Sequence, residues 1–273
     1  MKYYLYNRLA TCGVKPQLNN GQEAIDAIGL DYAKFFAGLK PEDEVVIIGG
    51  DTTVNHFIKK NLGYTFKNNI YLKDNNTGND FLTDIGGSKE DEVLINEYLE
   101  NLPVAKINGI DRPFINGVGV GLDGYCCEVA EDQRASNPTL PVNYTTIAIK
   151  GMLFKFKPCH ASVEVDGQKY EFDNVWIVST MKGRYYGGGM KIAPDQDRKS
   201  DHLTVVVYMS RSKLRALTQF PSINKGEHVK NTEMVKVLTG NKIRIKFDRP
   251  VSAQVDGDAV LDVEEYTIDY KKS

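Results

Sequence analysis

The chain has 273 residues, of which 41% are apolar and 26% charged. That is enough apolar material for one large domain or two modest ones, and it excludes wholesale disorder. A formal net charge of -2 excludes the uniformly basic surface of a general nucleic-acid binder, so no nucleic-acid partner is expected.

Tyr3–Tyr6 opens the chain as a short β-like run. From Gly21 to Leu39 the apolar residues Ala24, Ile25, Ile28, Tyr32, Phe35 and Phe36 fall near helical spacing, which predicts a helix. Glu44–Ile48 is a nearly continuous apolar run, the pattern of a strand buried on both faces. A helix follows near Thr53, with Val54, Phe57, Ile58 and Leu62 on one side. Asn69–Leu72 is a further strand, and Ser88–Asp91 resembles a capping box opening a helix that turns Val93, Leu94, Leu99 and Leu102 inward. Strands and helices alternating up to residue 102 predict an open, mostly parallel α/β lobe. Beyond it, alternating runs dominate: 162–165, 170–178, 203–209, 242–247 and 261–268. Helices are expected over 143–154 and 212–220. The reading is an α/β domain over 1–110 and an antiparallel β-sandwich over 111–273.

Five segments carry candidate chemistry. In Ile47–Ile58 a strand runs into Gly49, Gly50, Asp51, Thr52 and Thr53 and then a helix. Glycines let backbone amides approach a phosphate, and a helix N-terminus favours negative charge. A carboxylate at Asp51 suits magnesium or water, while Thr52 or Thr53 as an N-cap explains the same residues without a ligand. Asn75–Gly86 is a second loop entering a helix, with Asn76, Thr77, Gly78 and Asn79 as donors and Asp80 as a carboxylate. Two such loops would lie together at the carboxyl edge of the strands. Phe114–Glu131 is a glycine-spaced strand leading to Asp123. Tyr186–Pro194 holds three consecutive glycines and is followed by Asp195, Asp197 and Asp201. Asp256-Gly257-Asp258 is, by itself, most often a tight turn.

In this order and at these spacings the segments resemble the soluble diacylglycerol kinases and the related sphingoid kinases. That pattern is G-G-D-G-T, then G-T-x-N-D-F, a G-x-D segment, a G-G-G…P…D stretch and D-G-E. Tyr6-Asn7…Gly13 is similar to the family's opening turn, and Lys225–His228 to its Gly-x-His element. The resemblance spans nearly the whole chain. It implies an ATP-binding α/β lobe, a β-sandwich lobe and an active site in the cleft between them. It also implies ATP and Mg²⁺ as cofactors and diacylglycerol or a related lipid as acceptor. Asn7, the Gly49–Thr53 turn and Asn76–Asn79 would hold the nucleotide. Asp51, Asp80 and Asp123 would organise Mg²⁺, Asp258 would take the proton from the lipid hydroxyl, and Asp201 would match a structural metal site.

The chain departs from the pattern at several positions. Thr52 replaces a glycine and is costly if the backbone there has positive φ. His56 replaces a glutamate, Asn76 a glycine, and Asp258 the longer glutamate. These changes keep two other readings open: a catalytically degenerate binder of nucleotide or lipid, and a soluble-substrate kinase of the NAD kinase kind. Residues 150–230 hold 14 Lys and Arg against 8 Asp and Glu, a bias that suits an anionic membrane surface or a solvated sheet face. Cys12, Cys126, Cys127 and Cys159 show no C-x-x-C spacing, so free thiols in a reducing cytoplasm are expected. With no signal-like start and no apolar run approaching ~20 residues, a cytoplasmic protein peripheral at the inner membrane face is expected. Exposed sheet edges allow a homodimer.

Overall fold

The computed structural model describes residues 1–8, 16, 18–75, 79–137 and 142–271. They divide into two units, Met1–Leu102 and Pro103–Ser273.

The first unit is built on a five-stranded sheet. Its strands are β1 (Lys2–Tyr6), β2 (Gln22–Asp26), β3 (Glu44–Ile48), β4 (Asn69–Lys73) and β5 (Val93–Leu94), in the order β2-β1-β3-β4-β5. The first four are parallel and β5 is antiparallel to β4. Val45, Val46 and Ile47 are fully buried, as an apolar run in a central parallel strand requires. Helices α1 (Tyr32–Ala37), α2 (Asp51–Lys60), α3 (Asp80–Asp84) and α4 (Asn96–Leu99) connect the strands. Tyr32, Phe36, Phe57 and Phe66 stack edge and face between α1 and α2, closing the apolar side of the unit.

Two expected helices are not helices throughout. Residues 22–26 form β2, aligned with β1 from Lys2↔Gln22 to Tyr6↔Asp26. The helix begins only at Tyr32, where Asp31 caps it by accepting the Lys34 amide at 3.1 Å. The spacing of Ala24, Ile25 and Ile28 imitates a helix because a strand and a turn happen to share it. Residues 88–102 likewise form a short strand and one helical turn. Asn96 accepts the Ile70 amide at 2.7 Å and donates to the Asn68 carbonyl, so pairing to β4 overrides the local helical pattern.

The second unit holds β6 (Val104–Ile107), β7 (Ile110–Pro113), β8 (Gly117–Gly121), β9 (Cys159–Val165), β10 (Gln168–Met181), β11 (Leu203–Met209), β12 (Val235–Gly240), β13 (Lys242–Val255) and β14 (Asp258–Asp269). All pairings among them are antiparallel. The unit starts at Pro103, not near residue 110, because the β6–β7 hairpin pairs with the C-terminal strand β14. The 14-residue strands β10 and β13 each pair with β9 along one half and β8 along the other. Their registers shift near Asn174 and between Lys246 and Ala253, where bulges bend each strand from one pairing to the next. One core of valines, isoleucines and Tyr266 lies between the sheet's inner faces. A second core, around Trp176, Ile177 and Tyr208, is covered by α5 (Leu122–Ser136), α6 (Tyr144–Lys150) and α7 (Lys213–Gln219). The glycine-spaced segment at 114–131 is therefore a strand only to Gly121, after which it becomes α5. Cys126, Cys127 and Cys159 are free and buried. Among the described residues no helix is long and apolar enough to cross a membrane.

Candidate active site

The expected site residues fall into two groups, one in each unit. In the first unit Asn7, Gly49 and Asp74 follow the carboxyl ends of β1, β3 and β4. The chain leaves β1 for β2 on one side and resumes at β3 on the other. Asn7 and Gly49 thus flank the point where the winding of the sheet reverses, the place where open α/β sheets bind ligands.

The turn at Gly49 is pinned from both sides. Its N–H donates to the Lys73 carbonyl at 3.0 Å, and Asn79 Nδ2 donates to its carbonyl at 3.3 Å. A Cβ at Gly49 would lie 2.2 Å from Thr53 Oγ1, so only glycine lets the turn close onto α2. Gly50, rather than Thr52 or Thr53, is the N-cap, and no side chain caps this helix. The positive end of the α2 dipole is therefore left to a ligand or solvent. Asp51 Oδ2 accepts the Asp80 amide at 2.7 Å and Oδ1 accepts the Phe81 amide at 2.9 Å. Asn79 Oδ1 caps α3 through the Leu82 amide at 2.8 Å. Asp51 is a strap between two loops, and Asp80 is buried in the first turn that it holds. Thr52 is exposed and helical, so its replacement of a glycine costs no left-handed backbone. His56 is exposed on α2. Asn76, Thr77 and Gly78 lie outside the described residues.

In the second unit Asp123 occupies the first turn of α5 and is buried. A Cβ on Gly119 would fall 1.6 Å from Asp123 Oδ2, so this glycine of β8 makes room for the carboxylate. Gln254 Nε2 donates to Oδ2 at 2.9 Å, and the Tyr186 hydroxyl also hydrogen-bonds the group. Burial nevertheless pushes the Asp123 pKa up to about 7. Gln254 Oε1 in turn accepts the Gly257 amide at 2.7 Å. The amide side chain thereby links Asp123 to the turn that carries Asp258.

That turn is a two-residue hairpin loop, since Val255 pairs with Asp258. Asp256 and Gly257 have φ of 47° and 92°, the sign a type I′ turn requires. The Asp256 carboxylate accepts three amides, from Ile115 at 2.7 Å, Asn116 at 2.8 Å and Gly117 at 2.9 Å. Arg198 braces the same segment through the Ile115 carbonyl and, at 2.8 Å, Asn116 Oδ1. Beyond the turn, Ala259 N donates to Glu131 Oε1 of α5 at 2.9 Å. Both neighbours of Asp258 are fixed by hydrogen bonds, which is how a short carboxylate can be aimed. Asp201 takes no part in this network. It is exposed, and its Oδ1 lies 3.3 Å from His202 Nδ1.

Magnesium needs only one or two carboxylates beside phosphate oxygens and water. Among the described residues no three His, Cys, Asp or Glu side chains gather into a metal-holding set. Asp51 spends both oxygens on amides. Asp123 fits a cation better, because its charge is opposed by burial and not answered by a basic partner in its hydrogen-bond set.

The raised pKa of Asp123 has a signed consequence for stability. Between its ordinary value of 3.8 and about 7, the folded chain keeps a proton that the unfolded chain has released. Stability therefore falls as pH rises through that window, by a penalty on the order of 4 kcal/mol once complete. Asp123→Asn removes this penalty. In metal-free buffer its stability gain over wild type, measured by urea denaturation, is expected to be larger at pH 8 than at pH 5. An equal difference at the two pH values would show that burial does not hold the group protonated.

A family model described as the YegS C-terminal NAD kinase beta sandwich-like domain matches residues 116–265, more than half of the chain. The chain belongs to the YegS-like family of bacterial lipid kinases. Its matched region runs from the segment bound by Asp256 almost to the end of β14. The diacylglycerol kinase of Mycobacterium tuberculosis (strain H37Rv) is 24% identical over 254 residues, covering 88% of this chain and 80% of its own. That of Bacillus subtilis (strain 168) is 21% identical, covering 81% and 73%. A solved structure from Bacillus anthracis str. Sterne superposes with a TM-score of 0.70 at 18% identity, covering 98% of this chain and 91% of its own. At that identity the likeness is one of fold.

Several residues of this YegS-like chain were not singled out by the sequence. Gln254 is the clearest, and its signal is one amide between the apolar residues Ala253 and Val255, all three buried. Glu131, Arg198 and Tyr186 owe their places to contacts across long stretches of chain. Asp74 directly precedes the second of the loops named from the sequence. It is buried after β4, and neither of its oxygens has a hydrogen-bond partner among the described residues.

Proposed function

We propose that this chain transfers the γ-phosphoryl group of ATP to the hydroxyl of diacylglycerol or a related lipid alcohol. The observation that carries the phosphoryl-transfer reading is the pair of loops stitched together at the switch point of β1 and β3. There Gly49 and Gly50 lead into an α2 N-terminus without a side-chain cap, and Asp51 and Asn79 fix the second loop against the first. Backbone amides and a helix N-terminus suit phosphate oxygens. Asn7, at the end of β1, stands at the same edge. The lipid acceptor is inferred from the relatives that bear the name diacylglycerol kinase.

Phosphoryl transfer depends on alignment and charge neutralisation, so the protein's task is to position groups. Asp258 takes the proton from the acceptor hydroxyl as the new bond forms. Asp256, Gln254 and Glu131 hold it in place. Magnesium brought with ATP would offset phosphate charge, and Asp80 and Asp123 are the carboxylates that would hold it.

The test is transfer of labelled γ-phosphate from ATP to diacylglycerol dispersed in nonionic detergent micelles. Labelled phosphatidic acid is the expected product, and Asp51→Ala is expected to lower the rate by about tenfold or more as the second loop loosens. Phosphorylation of no lipid in a broad panel would overturn the reading. Phosphorylation of NAD with lipids inert would replace it with the soluble-substrate alternative.

A further inference from the structure

The two most exposed large apolar side chains among the described residues are Phe154, 76% exposed, and Leu214, 70% exposed. They come from segments far apart in sequence that pack side by side on the helical face of the second unit. Phe154 belongs to a single wide π-helical turn, Gly151–Lys155, that follows α6. Met152 and Phe156, on either side, are buried in the core around Trp176, and the wide turn swings Phe154 outward between them. Leu214 lies in α7, whose Ala216 is buried in the same core. Lys213 Nζ of α7 donates to the Leu153 carbonyl at 3.1 Å and ties the two segments together. Ile149, one turn earlier, is exposed as well.

One exposed apolar residue is ordinary. Two brought together and ringed by cations are not. Lys150, Lys155 and Lys157 accompany Phe154, and Arg211, Lys213 and Arg215 accompany Leu214, all of them exposed. No Asp or Glu occurs between residues 133 and 163 or between 202 and 226. Among the described residues Arg215 alone of the six forms an ion pair, with Glu233 at 2.8 Å.

We propose that this face, formed by the Gly151–Lys155 turn and α7, docks the protein on a bilayer surface that carries anionic lipid. Phe154 and Leu214 enter the headgroup region while the lysines and arginines meet lipid phosphates, the division of labour of interfacial anchors. The occupant follows from charge complementarity and from the absence of carboxylates in both segments. The surface stands on its own chemistry; its use, bringing the second unit to a lipid acceptor, rests on the lipid-kinase reading.

The experiment is co-sedimentation of the full chain with vesicles of phosphatidylcholine alone and with vesicles containing roughly a third phosphatidylglycerol. Wild type is expected to bind only the anionic vesicles, and to release as salt rises. The Phe154→Ser/Leu214→Ser variant is expected to lose about tenfold in partitioning. Lys150→Ala/Lys155→Ala/Arg211→Ala is expected to lose on the order of a hundredfold, since each nearby cation contributes about fivefold. All five side chains are exposed, so unchanged far-UV dichroism and melting temperature are expected and serve as the folding check. Equal binding by wild type and both variants, equal binding to neutral and anionic vesicles, or no wild-type binding would each overturn the proposal. Micelle activity separates it from the kinase reading: transfer in micelles without vesicle binding removes the docking surface only. Vesicle binding without any lipid phosphorylation removes the kinase reading and leaves the surface standing.

Discussion

Asp258→Ala is expected to lower kcat for lipid phosphorylation by between about a hundredfold and ten-thousandfold, the usual worth of a positioned general base. Nucleotide binding should be unchanged, because Asp258 belongs to the β13–β14 hairpin and not to the switch-point loops. Asp258→Glu restores the residue found in the family pattern and is expected to stay active, since the hairpin that aims it is untouched. The pair of variants separates two explanations of any defect. A lost carboxylate affects only the alanine variant, whereas a disturbed turn would affect both. Retention of wild-type kcat within about threefold by Asp258→Ala would remove the residue from the mechanism.

Asp256→Ala is expected to be the most destabilising single change at the site, at about 3–5 kcal/mol. Its carboxylate accepts the amides of Ile115, Asn116 and Gly117. Each buried N–H left without an acceptor costs roughly 1–3 kcal/mol. Alanine is also less tolerant than aspartate of the left-handed backbone at this position, where φ is 47°. Asp256→Asn keeps one acceptor oxygen and the tolerance for that backbone, so it should lie between wild type and alanine in urea denaturation. A loss below about 1 kcal/mol in the alanine variant would mean that the 115–117 segment is held by something else, with Arg198 the first candidate.

Much of the architecture was legible in the sequence where local pattern and tertiary pairing agree. Glu44–Ile48, Lys242–Phe247 and the helices expected over 143–154 and 212–220 are examples, the α-helices themselves running over 144–150 and 213–219. It was not legible where they compete. Residues 22–26 have helical apolar spacing, yet they pair along β1, and the gain from that ladder outweighs a weak local preference. The same split runs through the site. Gly49 could be read because the space it leaves is filled by a near neighbour in sequence, Thr53. The role of Asp51 could not, since the amides it accepts lie about thirty residues downstream. Gln254 and Asp256 act on partners more than a hundred residues away, a distance at which sequence spacing carries no information. The concern raised by Thr52 shows the reverse error: a family glycine suggested a special backbone that this helix does not use.

The pairing of β14 with β6 also sets an order of events during synthesis. The first unit closes through neighbours in sequence, with β3 and β4 added in turn to one edge of β1. The second unit cannot close that way, because Ile107 and Lys106 pair with Tyr266 and Thr267, and the Ile115–Gly117 segment waits for Asp256. Loop closure over such separations is slow and entropically costly. On the ribosome, then, the sheet of the first unit can form while the β6–β7 hairpin still lacks its partner strand. The Gly49 and Asn79 turns of the first unit can thus be complete before the β13–β14 hairpin has emerged and Asp256 has closed onto the Ile115–Gly117 segment, so a chain stalled between the two would hold one folded sheet beside an open one.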